Sequence, residues 1–183
     1  MKKRIVILGG GESGVGAALL CKLHGYDVFL SDGGRLKESY QQELTSYGIE
    51  FEQAGHTIEK ILSADEVMKS PGIPNSNAIV KSIVENKIPI ISEMELAYRH
   101  KGDSKIIGIT GSNGKTTTTA LIYHIFKEAG LDCALVGNIG TSISKQIALD
   151  PKPVYVVEIS SFQLDDIYLF RPDIAILTRS EER

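Results

Sequence analysis

A strand–glycine loop–helix unit occurs twice in this chain, and it constrains the fold more than any other feature. The first copy pairs the apolar run Arg4-Ile5-Val6-Ile7-Leu8 with Gly9-Gly10-Gly11-Glu12-Ser13-Gly14 and a helical spacing over 15–24. The second pairs Lys105-Ile106-Ile107-Gly108-Ile109-Thr110 with Gly111-Ser112-Asn113-Gly114 and a helix over 115–129. Short apolar runs alternating with amphipathic stretches point to a parallel α/β fold, because strands buried on both faces need helices to cover them. Each copy opens a helix whose first N–H groups have no intrahelical partner, which makes its N-terminus a site for an anion. The chain reads as two phosphate-binding units in series, 1–93 and 94–183. Further strands are expected at 27–30, 49–51, 66–69, 88–91, 133–136, 154–157 and 174–177. Helices are expected at 36–47, 58–62 and 77–85, with Gly25, Gly48 and Gly130 as stops, and a second cycle begins near 93–100.

The first loop fits the spacing G-x-G-x-x-G, and Asp32 follows at the end of the next strand. Glycine at these places lets a pyrophosphate approach the backbone, and the acid can bond a sugar hydroxyl or a base N–H. NAD, FAD and UDP-sugars all carry a pyrophosphate, so the motif does not choose among them. Glu12 would repel a phosphate if it pointed inward and is expected to face solvent.

In the second loop, Gly114-Lys115-Thr116-Thr117 lies between a buried strand and a helix. Backbone N–H groups of Gly111, Ser112, Asn113 and Gly114 can surround β- and γ-phosphates. Lys115 supplies positive charge and the Thr116 hydroxyl can ligate Mg²⁺. The spacing G-x-x-x-x-G-K-[ST] is not met, because Ile109 stands where the first glycine belongs. The run Val154-Tyr155-Val156-Val157-Glu158 ends in a carboxylate at the strand edge where such sites place a metal-binding acid.

Composition narrows the partners. Twenty Lys and Arg against 23 Asp and Glu leave a net charge of −3, spread evenly, which excludes a basic face for nucleic acid or an anionic membrane. Two cysteines, Cys21 and Cys133, build neither a disulfide framework nor a zinc site. Met1-Lys2-Lys3-Arg4 is followed by too few apolar residues for a signal peptide, so a cytoplasmic protein is expected. His24, His56, His100 and His124 share no metal-ligand spacing and read as ordinary structural residues, Arg35 as a solvated loop residue and Glu181-Glu182 as a solvated tail.

Gly108-Ile109-Thr110-Gly111-Ser112-Asn113-Gly114-Lys115-Thr116-Thr117 closely resembles the ATP loop of the Mur ligase family. Ser70-Pro71-Gly72-Ile73-Pro74 resembles the family's turn in its UDP-binding domain, and Gly137-Asn138-Ile139-Gly140 its substrate loop. Glu158-Ile159-Ser160-Ser161-Phe162-Gln163-Leu164 resembles the segment that marks the family's D-glutamate-adding branch. The resemblance reaches about Thr178. It implies a Rossmann-like parallel-sheet domain over 1–93 that binds a UDP substrate, followed by the first part of a P-loop ATPase-type α/β domain over 94–183. It also implies an ATP-dependent ligase of peptidoglycan precursor synthesis that joins UDP-MurNAc-L-Ala to D-Glu through an acyl phosphate. Lys115 and Glu158 would be catalytic, Gly111, Ser112, Asn113, Gly114, Lys115, Thr116 and Thr117 would hold ATP, and Thr116 and Glu158 would hold Mg²⁺. Gly11, Ser13 and Gly14 would lie at the diphosphate and Asp32, Ser70 and Gly72 near the uridine. Asn138, Ser160 and Gln163 would contact the muramoyl-alanine.

The chain departs from the pattern at two places. Gly33-Gly34 lacks the side chains that some relatives place beside the uracil. After Thr178 the sequence reads Arg179-Ser180-Glu181-Glu182-Arg183 in place of the family's Asn and Asp-His. The bridging lysine and the D-glutamate-binding domain are not reached either, so the expectation is a monomeric truncated ligase, incompetent alone. A nucleotide-binding module without turnover is the rival reading. An NAD(P)-dependent oxidoreductase explains the first loop and Asp32 but leaves Lys115 and Glu158 without a purpose.

Overall fold

The structure is a computed structural model that describes residues 2–179. Met1 and the Glu181-Glu182 pair lie outside them. In chain order the elements are β1 (Arg4–Leu8), α1 (Glu12–Leu23), β2 (Asp27–Ser31), α2 (Glu38–Ser46), β3 (Glu50–Glu52), α3 (Ile58–Leu62), β4 (Glu66–Lys69), α4 (Ala78–Glu85) and β5 (Ile90–Ile91). There follow α5 (Glu93–His100), β6 (Lys105–Thr110), α6 (Lys115–Glu128), β7 (Cys133–Gly137), α7 (Ile143–Leu149), β8 (Val154–Glu158), a 3₁₀ turn (Ser161–Leu164) and β9 (Ile174–Leu177).

The strands form two wholly parallel sheets, in the orders β3-β2-β1-β4-β5 and β7-β8-β6-β9. The fold is α/β, as the alternating pattern requires. Leu8 pairs with both Ser31 and Lys69, so the loops leaving β1, β2 and β4 emerge side by side. Ile109 and Gly137 both pair with Glu158, which gathers the loops leaving β6, β7 and β8. Open parallel sheets bind ligands at this edge.

Helix α1 joins the two halves. Its residues Gly14 through Cys21 are buried, against the first sheet on one side and α5 and α7 on the other. A Cβ at Gly16 would fall 2.2 Å from the Ser142 hydroxyl, so α7 crosses α1 where only a hydrogen fits. One apolar cluster therefore runs from Ile5, Val28 and Leu30 through Leu19 and Leu20 to Tyr155 and Val157.

The structure trims α2 to Glu38–Ser46 and β5 to Ile90–Ile91, and it departs further from the sequence pattern at two places. Helix α1 begins at Glu12 instead of residue 15, with Gly11 as its N-cap and Glu12 in the first turn, where an acid favours the helix dipole. Glu12 does not face solvent freely: it is half-buried and accepts a 3.0 Å hydrogen bond from the Tyr40 hydroxyl. Helix α7, capped by the Ser142 side chain, was not expected: of its apolar residues only Ile143 and Ile147 are buried, with the polar Ser144 beside them, which leaves a weak apolar pattern.

Candidate functional site

At the first sheet's edge the glycine loop is built tightly. A Cβ on Gly14 would lie 1.8 Å from the Gly9 carbonyl oxygen, whereas one on Gly11 would meet nothing within 4 Å, leaving open space before the helix N-terminus. The Asp32 carboxylate accepts from the backbone N–H of Gly10 and, at 2.7 Å, of Gly34. Asp32 is thus chiefly a brace between two loops, with one lone pair per oxygen left for a ligand. The Ser70 hydroxyl donates to the Gly9 carbonyl at 3.3 Å and ties in the third loop. Between these loops lies a cleft of about 300 Å³ whose lining includes Asp32, Gly33, His56, Gly72, Pro74 and Asn77. The glycine motif pointed to Asp32 and the family resemblance to Gly72, and both line this cleft. Neither found His56 or Asn77, which only the folded chain brings there.

At the second edge, Gly111 and Gly114 adopt φ of 137° and 86°, values that favour glycine, and turn the loop into α6. The Lys115 ammonium donates to the Gly111 carbonyl at 2.8 Å, and Thr116 and Thr117 are exposed at the first turn. A cavity of about 480 Å³ is lined by Gly111, Ser112, Lys115, Ser160 and Phe162, among others, so the lysine and Ser160 face the same space.

Glu158 at the end of β8 is 1% exposed. Its Oε1 accepts from the Asn138 side-chain amide at 2.8 Å, while Oε2 is buried with no hydrogen-bond partner. A buried carboxylate oxygen without a partner is costly, and a divalent cation is the natural group to satisfy it. No cluster of three His, Cys, Asp or Glu among the described residues could hold a metal by itself. Magnesium does not need one, since it is commonly held by one or two carboxylates with substrate phosphates and water. Gln163 is 4% exposed, and its Oε1 accepts from both the Ser160 backbone N–H and the Ser160 hydroxyl. It caps the 3₁₀ turn and holds Ser160 in place.

Buried carboxylates that the sequence did not single out lie between the two edges. Glu93 is 2% exposed; it accepts from the Ser142 hydroxyl at 2.6 Å and the Ser144 N–H at 3.2 Å, and the Ser13 hydroxyl also faces it. Burial pushes its carboxyl above the ordinary range, although these bonds oppose the shift. Glu95 accepts from the N–H groups of Tyr168, Leu169 and Phe170 at 2.8–2.9 Å and pairs with Arg99. Burial works to raise its carboxyl, but those donors outweigh it and hold it below the usual carboxylate range. The Lys69 ammonium, 4% exposed, pairs with Asp166 at 3.2 Å and donates to the Ile73 carbonyl. His24 and His100, far apart in sequence, meet edge to face with ring centres 4.5 Å apart. Cys21 and Cys133 are buried and free.

Residues 4–79 match the model of the MurD N-terminal domain, and residues 109–182 match the Mur ligase middle domain. A UDP-N-acetylmuramoylalanine--D-glutamate ligase of Bacteroides fragilis is 57% identical over 175 residues, covering 96% of this chain and 39% of the relative. The corresponding ligase of Cytophaga hutchinsonii is 56% identical over 178 residues, covering 97% of this chain and 40% of the relative. The chain thus spans about two fifths of the length of the curated relatives it matches. Among solved structures, a pseudomurein peptide ligase type C from Methanothermus fervidus is 29% identical with a TM-score of 0.53, over 87% of this chain and 33% of that one. The UDP-N-acetylmuramate:L-alanyl-gamma-D-glutamyl-meso-diaminopimelate ligase of Neisseria meningitides shares the fold, with a TM-score of 0.66 at 23% identity over 100% of this chain and 62% of that one.

Proposed function

The chain belongs to the Mur ligase family, and from that premise we propose that it is the UDP-substrate-binding and phosphate-binding part of an ATP-dependent ligase that adds D-glutamate to UDP-MurNAc-L-Ala. The observation that carries this reading is the unpartnered buried Oε2 of Glu158, one strand away from the loop of Lys115. An oxidoreductase has no use for that pair, and among the described residues no helix is long and apolar enough to cross a membrane. A cytoplasmic monomer with two domains, 1–93 and 94–183, is part of the same proposal.

In this reading the first cradle holds the diphosphate at the α1 N-terminus, with Gly11 leaving room and Ser13 beside it. The second holds the ATP phosphates on the N–H groups of Gly111 and Gly114, and on those of Ser112 and Asn113 once they exchange the Arg179 carbonyl, to which both donate here, for phosphate. Lys115 leaves the Gly111 carbonyl to neutralise phosphate charge, and Thr116 and Glu158 hold Mg²⁺. When bound, Mg²⁺ supplies positive charge to the phosphates as charge builds there. Asn138 fixes Glu158 by bonding its other oxygen, and Ser160 and Gln163 shape the wall that faces the muramoyl-alanine carboxylate. In the net reaction that carboxylate's oxygen attacks the γ-phosphorus and ADP departs. The D-glutamate amine then attacks the acyl carbon, the C–O bond to phosphate breaks, the departing phosphate carries off the proton lost by nitrogen, and an amide forms. The chain's own contribution is position and charge.

Calorimetry with UDP-MurNAc-L-Ala, Mg·ATP and NADH in parallel tests the reading. Binding of the UDP substrate with little NADH binding is expected. Tight NADH binding, or no response to the UDP substrate, overturns it.

A further inference from the structure

The cleft between the first three loops contains a side chain whose protonation is dictated by its neighbours. Ser31 at the end of β2 is 0% exposed. Its hydroxyl contacts Glu52 Oε1 at 2.6 Å and His56 Nδ1 at 2.7 Å. A hydroxyl has one proton. Glu52 also accepts from the Thr57 N–H at 2.8 Å and the Thr57 hydroxyl at 2.6 Å. Burial works to raise its carboxyl, but the bonds from Ser31 and Thr57 outweigh it, so Glu52 is ionised and can only accept. Ser31 therefore donates to Glu52, and His56 Nδ1 must carry a proton to donate to Ser31. In the neutral imidazole this leaves Nε2 as an acceptor. Ser31 is fully buried, so its hydroxyl has these two side chains as its partners.

His56 lines the cleft. A Cβ at position 33 would lie 2.9 Å from His56 Nε2, so the ring fills the room that a side chain at Gly33 would take. Gly33 and the imidazole are complementary: the loop gives up its side chain there, and one from beyond β3 enters. Asn77 stands in the same cleft. Its Oδ1 is used by the Ile79 N–H at 2.8 Å, which turns its amide N–H groups away from the cap as spare donors.

We propose that His56 is a specificity-determining residue that reads the nucleotide base, its Nε2 accepting the imino N–H of a uracil. This rests on the reading of the cleft as a UDP-substrate site. Uracil carries its only ring donor between two carbonyls, whereas cytosine presents a lone pair at the same place and would set two acceptors against each other. A site built to pair with an N–H rejects an analogue that lacks it, because the acceptor in the cleft is then set against a methyl group or another lone pair.

The test is calorimetry with UDP, N3-methyl-UDP and CDP on the wild type and His56→Ala, with ¹⁵N spectra of the histidine rings. The wild type is expected to bind UDP at least about tenfold more tightly than N3-methyl-UDP or CDP. His56→Ala is expected to bring the three ligands within about twofold of one another. In the wild type, which needs no variant to fold, the His56 Nδ1 signal is expected in the protonated range and the Nε2 signal in the unprotonated range. UDP should then move the Nε2 signal. Equal binding of UDP and N3-methyl-UDP, or a protonated Nε2 in the free neutral ring, overturns the role of His56 and leaves the UDP site standing. No UDP binding at all overturns the site itself.

Discussion

The two glycine loops face phosphate with the same backbone device, yet Gly14 and Gly114, one from each, are required for different reasons. In the first, Gly14 is held by space: its hydrogen points at the Gly9 carbonyl, which is what lets α1 start directly behind β1. In the second, Gly114 is held by angle, with φ 86° and nothing closer than 3.8 Å to an added Cβ. Crowding is much the more expensive to violate. Gly14→Ala is expected to cost more than about 3 kcal/mol, while Gly114→Ala costs about 1 kcal/mol, the ordinary penalty for a left-handed alanine. Urea denaturation of both variants measures the difference, and equal losses would show that the two loops are not built differently.

The helices behind the loops differ in the same direction. Helix α1 lies between a sheet and two helices, whereas α6 covers its sheet on one side and leaves Leu121 56% exposed. Leu20→Ala is expected to cost about 3 kcal/mol, against no more than about 0.5 kcal/mol for Leu121→Ala. Thermal or urea unfolding checks this. A large loss at Leu121 would mean that its face is covered in solution.

The contrast between the halves also explains what could be read without coordinates. Helix α3, β4, β6 and β9 fall on the residues that apolar runs and turn chemistry select, because each is bounded on at least one side by Gly, Pro, Ser or Thr. Helix α7 escaped because its buried face mixes Ile143 and Ile147 with the polar Ser144. Lys115 and Glu158 were legible as a lysine loop and a strand-end acid. His56, Glu93 and Glu95 were not. Each acts through partners tens of residues away, such as Glu95 with the N–H groups of 168–170, and local spacing holds no trace of such pairing. Asp32 was legible in place but less so in use, since the structure engages it with Gly10 and Gly34.

Glu95 and Glu93, two residues apart at the start of α5, turn the comparison toward pH. Glu95 is held ionised by three backbone donors and Arg99, so its folded value lies below its unfolded one. The folded state then binds fewer protons than the unfolded chain between those two values. Its contribution is fully present above the ordinary carboxylate range and is lost as pH falls through the folded value. Glu95→Gln is expected to cost about 2 kcal/mol at neutral pH, since a neutral oxygen accepts the same N–H groups more weakly, and to flatten the acid side of the stability curve. Unchanged acid unfolding in this variant would remove Glu95 as a cause.

Glu93 has the opposite sign. Burial lifts its folded value above the unfolded one despite Ser13, Ser142 and Ser144, and Oε2 has no hydrogen-bond partner. The folded state therefore binds the proton more readily, and ionised Glu93 weakens the fold above its folded value. Stability returns as pH falls through that value, and the gain is complete below the unfolded one. Glu93→Gln keeps the oxygen that Ser142 and Ser144 bond, and its new amide can donate to the Ser144 hydroxyl, which is buried and unpartnered. The variant is expected to be more stable than the wild type by about 1 kcal/mol at neutral pH, with an advantage that shrinks as pH falls. Chemical denaturation at a series of pH values reads both features. A variant that is less stable at every pH would mean that the contact of α1, α5 and α7 needs the negative charge itself, and Glu93 would then belong with Glu95 as an ionised anchor.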